Sequence, residues 1–307
     1  MKVLVTGGAG YIGTELVNQL VQRNDISQVI VYDNLSRSNY NLFLGKSLDD
    51  HAAKIKFVQG ELLDSRNLKK HLNGVEVVYH LAAKVTTPFA NTDPHFYEQV
   101  NHWGTAELIY ALEDSDVKKL IFASSTGVYG SANEPVDEQT VPNPKTFYGI
   151  SKLRGEEHVS RLADKIDTYI LRCGNVYGYS KSMRFDAVIN KFVFEANFNK
   201  QIAIHGDGKQ HRSFIHISHV SKALTKLLDG KASPGLYNLV DRDLQVLDIV
   251  DVLKEQIPEL EFIFINQHLK LRELIVKPNH DLNALLGIEN GQTFADEMLE
   301  FKSKFSF

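Results

Sequence analysis

Lys2-Val-Leu-Val-Thr6 runs straight into Gly7-Gly-Ala-Gly10-Tyr-Ile-Gly13, and an amphipathic stretch from Thr14 to Gln22 follows. A short apolar, β-branched run of this kind is the pattern of a strand buried on both faces. Glycines at 7, 10 and 13 permit a tight turn, let backbone N–H groups approach an anion, and let the next helix pack against the sheet. Alone, that spacing is a weak signal. Its context strengthens it, because a second apolar run, Gln28-Val-Ile-Val-Tyr-Asp33, ends in an acid 20 residues after Gly13. Strand, glycine turn, helix and acid-terminated strand together predict a dinucleotide site, with the pyrophosphate on the helix N-terminus and Asp33 on the adenosine ribose hydroxyls. A carboxylate there repels a 2′-phosphate, so NAD is expected rather than NADP. Arg37 argues mildly the other way and is read as a surface charge on the loop.

Outward from this core the rhythm repeats through Ile55 to Gln59, a helix over 65–71, Glu76-Val-Val-Tyr-His-Leu-Ala-Ala83, a long helical stretch over 94–114, and Lys118-Lys-Leu-Ile-Phe-Ala-Ser-Ser125. Alternating strands and helices predict an α/β fold with a doubly wound parallel sheet of the Rossmann type, binding ligands outside the carboxyl ends of its strands. After Gly178 the alternation breaks. A helix beginning near Met183-Arg-Phe-Asp186, a strand and glycine turn over Gln201-Ile-Ala-Ile-His-Gly-Asp-Gly208, and helices near 246–256 and 293–304 suggest a smaller C-terminal α/β domain. The expected division is 1–178 for the NAD-binding domain and 179–307 for substrate, with a segment near 212–240 returning to the first through Tyr237-Asn-Leu239.

The 307 residues are 43% hydrophobic and 23% charged, enough for a proper core, and the net charge of −4 is mixed in sign along the chain. No one-sided basic face is present for nucleic acid or an anionic membrane, so neither partner is expected. The single cysteine, Cys173, allows no intramolecular disulfide and fits a reducing compartment. The first predicted strand begins at Lys2 and no apolar run approaches the roughly 20 residues that span a bilayer, so neither a signal peptide nor a membrane span is expected and a cytoplasmic protein is. His205, His211, His216 and His219 match no metal-ligand spacing, so no metal is expected.

Tyr148-Gly-Ile-Ser-Lys152 places a phenol and an ammonium four residues apart, on one face of a helix. A free tyrosine titrates near pH 10, so it is a base at neutral pH only where its phenolate is favoured, and Lys152 is placed to supply the charge. Ser124 and Ser125 stand at the carboxyl end of a predicted strand, where ligands bind.

Taken in order, Thr6-Gly-Gly-Ala-Gly-Tyr-Ile-Gly13, Asp33-Asn34, His80-Leu-Ala-Ala83, Asn101, Gly104-Thr105, Ser124-Ser125-Thr126-Gly127-Val128-Tyr129-Gly130, Tyr148-Gly-Ile-Ser-Lys152 and Leu171-Arg172-Cys-Gly-Asn175-Val-Tyr-Gly178 resemble the extended short-chain dehydrogenase/reductases. In particular the whole chain is similar to the NAD-dependent sugar-nucleotide epimerase/dehydratase family. The resemblance implies that Tyr148 is the catalytic acid/base, that Lys152 lowers its pKa and holds the nicotinamide ribose, and that Ser125 hydrogen-bonds the reacting hydroxyl. It implies cofactor contacts at Gly7, Gly10, Tyr11, Ile12 and Gly13, at Asp33 and Asn34, at Glu61 and Leu62, at Leu81, Ala82 and Lys84, and at Asn101 and Ser124. Glu61 departs from the family, which usually has Asp there.

For the substrate, Lys209-Gln-His-Arg212-Ser-Phe-Ile-His216 resembles a family signature whose arginine clamps a sugar-nucleotide pyrophosphate, with Ser213 in place of the usual Asp. Asn175, Lys84 and Ser125 match substrate-binding positions, and Arg272 stands roughly where the family has a second phosphate-binding arginine. The activity implied is epimerisation of a nucleotide-linked sugar through a transient keto-sugar. A nucleotide-sugar dehydrogenase or reductase, a 4,6-dehydratase and a non-catalytic NAD sensor are the alternatives. Family dehydratases carry an Asp-Glu pair directly after the Ser/Thr, where this chain has Thr126-Gly127. Cys173-Gly174 stands where many 4-epimerases have two aromatic residues. Relatives pair two helices, here 94–114 and 146–163, across a two-fold axis, so a homodimer built on a four-helix bundle is implied.

Overall fold

The computed structural model describes residues 1–44, 51–85, 93–267, 273–288 and 292–305. Strand β1 (Lys2–Thr6) is buried beyond its first residue, and helix α1 (Tyr11–Gln22) turns Leu16, Val17, Leu20 and Val21 into the same core. Each such aliphatic side chain contributes about 1.5–3 kcal/mol relative to exposure. The chain continues through β2 (Gln28–Asp33), β3 (Ile55–Gln59), α2 (Ser65–His71), β4 (Val77–His80), α3 (Pro94–Tyr97), α4 (Gly104–Glu113), β5 (Lys119–Ser125), α5 (Phe147–Ser160) and β6 (Asp167–Cys173). There follow β7 (Asn175–Tyr177), α6 (Val188–Phe198), β8 (Gln201–His205), β9 (His211–His216), α7 (Ile217–Lys226), β10 (Gly235–Leu239), β11 (Arg242–Gln245), α8 (Val246–Gln256), β12 (Glu261–Ile265), α9 (His280–Leu286) and α10 (Phe294–Ser303).

Seven strands form one sheet in the order β3-β2-β1-β4-β5-β6-β10, and every pair in it is parallel. The order reverses between β1 and β4, so their carboxyl ends splay apart into the crevice where such sheets bind ligands. One apolar layer, with Leu16, Val220, Leu224 and Leu286, covers one face; a second, with Leu68, Leu108, Leu112 and Val159, covers the other. A third core, around Ile189, Ile204, Ile249 and Met298, joins α6, α8 and α10 to the small sheets β11-β9-β7 and β12-β8. Within the expected returning segment, α7 and β10 rejoin the large sheet and its helices, whereas β9 stays in the three-stranded sheet.

The stretch expected as one long helix is continuous but not uniform. Between α3 and α4, residues Glu98–Trp103 form a π-helical turn, which places the buried Asn101 in the widened part. Such single wide turns recur at functional sites because they re-aim one side chain. Among the described residues, no helix is long and apolar enough to cross a membrane.

Candidate active site

Three glycines shape the turn after β1. Gly7 has φ +72°, and a Cβ there would lie 2.6 Å from the Ala82 nitrogen; one on Gly13 would run into the Gly7 carbonyl. The loops after β1 and β4 thus meet backbone to backbone, and α1 starts hard against the sheet. No side chain caps α1 at Gly10. The N–H groups of Tyr11, Ile12 and Gly13 open the helix with no intrahelical partner, a ready anion site. Tyr11 has a further role, since its buried hydroxyl donates to the Gly178 carbonyl at 2.5 Å.

At the end of β2, Asp33 Oδ2 accepts from the Ala9 N–H at 3.0 Å and Oδ1 from the Leu35 N–H at 2.8 Å. Each oxygen retains a lone pair for a ribose hydroxyl. Burial raises the Asp33 pKa, and the two backbone donors counter it. Asn34 donates to the exposed Glu61 at 3.0 Å, while the buried Leu62 packs against Gly104 of α4. Arg37 does not stand alone on its loop: it reaches Asp186 at 3.6 Å. Glycine cradle, uncapped helix start and carboxylate fit an NAD molecule.

Behind the cradle, a closed hydrogen-bond chain fixes the end of β4. Thr105 gives its only proton to the Asn101 carbonyl at 2.6 Å, so His80 donates to Thr105 from Nε2 and accepts the Thr6 hydroxyl at Nδ1, 2.7 Å away. Burial, and then the Lys152 charge, pull the His80 pKa down to about 3, consistent with a neutral ring. Asn101 grips the backbone of Lys84 at both ends, accepting its N–H at 2.7 Å and donating to its carbonyl at 3.0 Å. Leu81 donates its N–H to the Thr6 carbonyl, and the Lys84 ammonium lies over the Phe96 ring.

At the end of β5, the Ser125 hydroxyl accepts the Gly127 N–H at 3.1 Å and faces Tyr148 of α5. Burial pushes the phenol above its usual pKa; the Ser125 hydroxyl and, at longer range, the Arg184 guanidinium draw it back. Lys152, one turn on, is buried, with its ammonium 4.1 Å from the centre of the Phe122 ring. Burial pulls its pKa down to about 8 against the attraction of Glu156. Lys152, expected to supply the charge that acts on the phenol, stands one turn away on α5, and the Arg184 charge draws on the phenol from outside that helix. Ser124, expected near the cofactor, turns its buried hydroxyl to Glu156, which is held by Arg172 at 2.7 Å, so this side chain serves a buried ion pair.

On the substrate side, Asn175 donates to the Ser213 carbonyl at 3.0 Å, and the half-buried Arg212 lies one residue earlier on β9. Where the family has Asp, Ser213 donates to Asp243, its register partner on β11, at 2.5 Å. A carboxylate is therefore kept at this point, supplied from the neighbouring strand. Gly174 is forced by close approach, since a Cβ there would sit 2.9 Å from the Ser213 carbonyl oxygen. Arg272 lies outside the described residues. Arg184 is the residue that sequence reasoning missed; it pairs with Asp186 at 2.9 Å, and its charge reaches Tyr11, Tyr97 and Tyr148. No periodicity or familiar motif marks it.

The chain is 35% identical over 264 residues to the putative UDP-glucose 4-epimerase of Methanocaldococcus jannaschii, covering 83% of this chain and 82% of the relative. It is 32% identical over 267 residues to the dTDP-D-glucose 4,6-dehydratase of Bos taurus, covering 84% and 73%. Among solved structures, UDP-glucuronic acid 4-epimerase from Bacillus cereus, in complex with UDP-glucuronic acid and NAD, superimposes with a TM-score of 0.84 at 25% identity, over 99% of this chain and 98% of that one. UDP-N-acetylglucosamine 4-epimerase from Methanobrevibacter ruminantium gives a TM-score of 0.86 at 26% identity, over 99% and 97%. The family model described as "NAD dependent epimerase/dehydratase family" matches residues 3–239, and the chain belongs to that family.

Proposed function

We propose that this chain is an NAD-dependent epimerase of a nucleotide-linked sugar. The observation that carries the reading is the Ser125–Tyr148 pair followed by Thr126 and Gly127: a Cβ at 127 would lie 3.3 Å from the Ser125 hydroxyl, yet the position holds no acid or base. Expelling water from a sugar needs a further proton donor and acceptor, and inverting a carbinol centre does not. In the inferred mechanism, Ser125 hydrogen-bonds the reacting sugar hydroxyl, and Tyr148 as phenolate removes its proton as the carbon is oxidised to a ketone. Bound NAD supplies the reversible acceptance of hydride. Tyr148 returns the proton to the oxygen when the centre re-forms with the opposite configuration. Lys152 would hold the nicotinamide ribose, the backbone at Tyr11–Gly13 the pyrophosphate, and Asp33 the adenosine ribose. Arg212, Asn175, Lys84 and Arg272 are assigned to the nucleotide sugar.

The test is incubation with UDP-, dTDP-, GDP- and CDP-sugars, with and without added NAD, followed by product identification. An isomer of unchanged mass is expected. A keto product lighter by one water would make the protein a dehydratase and overturn the reading.

We further infer two domains, 1–178 with the returning α7–β10 segment and 179–307, and a homodimer through α4 and α5. Support for the dimer comes from two exposed aromatics, Trp103 at the end of the π-helical turn, 53% exposed, and Tyr110 on α4, 41% exposed, together with the ion pairs Arg154–Glu98 and Arg161–Glu113. Sedimentation at micromolar concentration should give a dimer, and Trp103→Glu a monomer.

A further inference from the structure

A buried ammonium needs compensation, and around Lys152 the compensation includes a ring. Its Nζ lies 4.1 Å from the centroid of Phe122, which is 0% exposed on β5. The His80 ring stacks on that same phenyl ring, with centroids 5.3 Å apart and planes 23° from parallel. Fixed between a strand and a stacked neighbour, the Phe122 ring has one orientation to offer.

We propose that Phe122 is a positioning residue of the catalytic site, whose π face seats the Lys152 ammonium and keeps it protonated. The proposal rests on the reading of Lys152 as a functional cation. Of the other groups facing the lysine, Glu156 and Cys173 favour its charged form, each incompletely. Glu156, on the same helix, is bound by Arg172 of β6, so much of its charge is already neutralised. Cys173 of β6 is a thiol, its pKa pushed by burial up to about 12. His80 of β4 is neutral, and protonating it would oppose the lysine. Tyr148, one turn earlier, is neutral until it gives up its own proton. An aromatic quadrupole is attractive to a cation whatever the pH, and a desolvated contact of this kind is among the stronger ones. Leucine at 122 could fill the space without providing that attraction.

The test replaces Phe122 in the full-length protein by mono-, di- and trifluorophenylalanine, which keep the shape of the ring while draining its negative face. With lysine 13C-labelled at Cε, the Lys152 resonance is assigned by its loss in Lys152→Met, and its titration is followed by NMR. The unmodified protein should titrate near pH 8. Fluorination should lower the midpoint stepwise, by about 1 pH unit for the trifluoro ring, and Phe122→Leu should lower it as well. If the trifluoro protein does not fold, the nearly isosteric monofluoro and difluoro proteins carry the trend. An unchanged midpoint across the series overturns the proposal. Failure of the underlying reading would look different: Lys152→Ala would leave turnover and NAD affinity intact whatever the midpoints show.

Discussion

The large sheet and the segment 178–186 both border the start of α1, and they are held there by different means. Ser125 and Tyr148 take their places from strand register and a buried helix: β5 and β6 pair without interruption from Lys119↔Asp167 to Ser125↔Cys173. The segment 178–186 is tied to the first half by side chains. Tyr11 bonds the Gly178 carbonyl, Thr14 bonds Ser182, Asn41 bonds the Lys181 carbonyl, and Arg37 reaches Asp186. Its internal backbone hydrogen bond, Met183 to Ser180, is local. A buried ladder yields only when much of the sheet yields, whereas single side-chain bonds, each worth about 1 kcal/mol, break one at a time. The sheet is therefore the more firmly fixed border of the two.

The contrast breaks if the sheet side tolerates loss as easily as the segment does. Glu156→Ala removes one partner of the buried Arg172 pair, whose side chains are 5% and 4% exposed, and strips Ser124 of its acceptor. An unpaired buried charge costs about 3–5 kcal/mol, so denaturant unfolding should show a loss of that size or no folded protein at all. A change below about 1 kcal/mol would mean that water reaches Arg172 and that this rung is not sealed.

Next in size is Tyr148→Phe, which deletes a hydroxyl and leaves the ring, whose centroid is 6.2 Å from that of Tyr97. Folding and NAD affinity should hold, while turnover on the true substrate falls at least ~100-fold, as for loss of a general base. Near wild-type turnover would remove the phenol from the chemistry altogether.

The same contrast explains how far the sequence could be read. Strand runs, glycine turns and the acid of Asp33 obey short spacings, so the parallel order and the cradle were legible from residues 2–33 onward. Tyr148, Lys152 and Ser125 were legible as motifs, but the partners of their neighbours were not. The bond from the Ser124 hydroxyl to Glu156 could not be read, because it depends on the alternation of β5 sending that side chain to the helix side. Asp243 supplies the carboxylate missing at Ser213 from 30 residues away, and Arg184 comes from a stretch with no pattern. Such pairings depend on which strands lie side by side, and local periodicity does not carry that information.

The smallest expected effect tests the segment itself. Thr14 on α1 donates its hydroxyl to Ser182 at 2.8 Å, and both residues are 1% exposed. Ser182→Ala leaves the Thr14 hydroxyl to find another acceptor, at a cost of about 1 kcal/mol. That corresponds to roughly fivefold in an equilibrium between held and released segment. If the segment governs release, stopped-flow displacement of NAD should speed up by about that factor, while denaturant stability falls by no more than about 1 kcal/mol. Thr14→Val should have the same effect, and the double variant should add nothing to either, since both remove one shared bond. Additive effects would show that the two side chains act through separate contacts. Unchanged release in all three variants would leave the segment as rigid as the sheet, and the division between fixed and releasable halves of the site would fall.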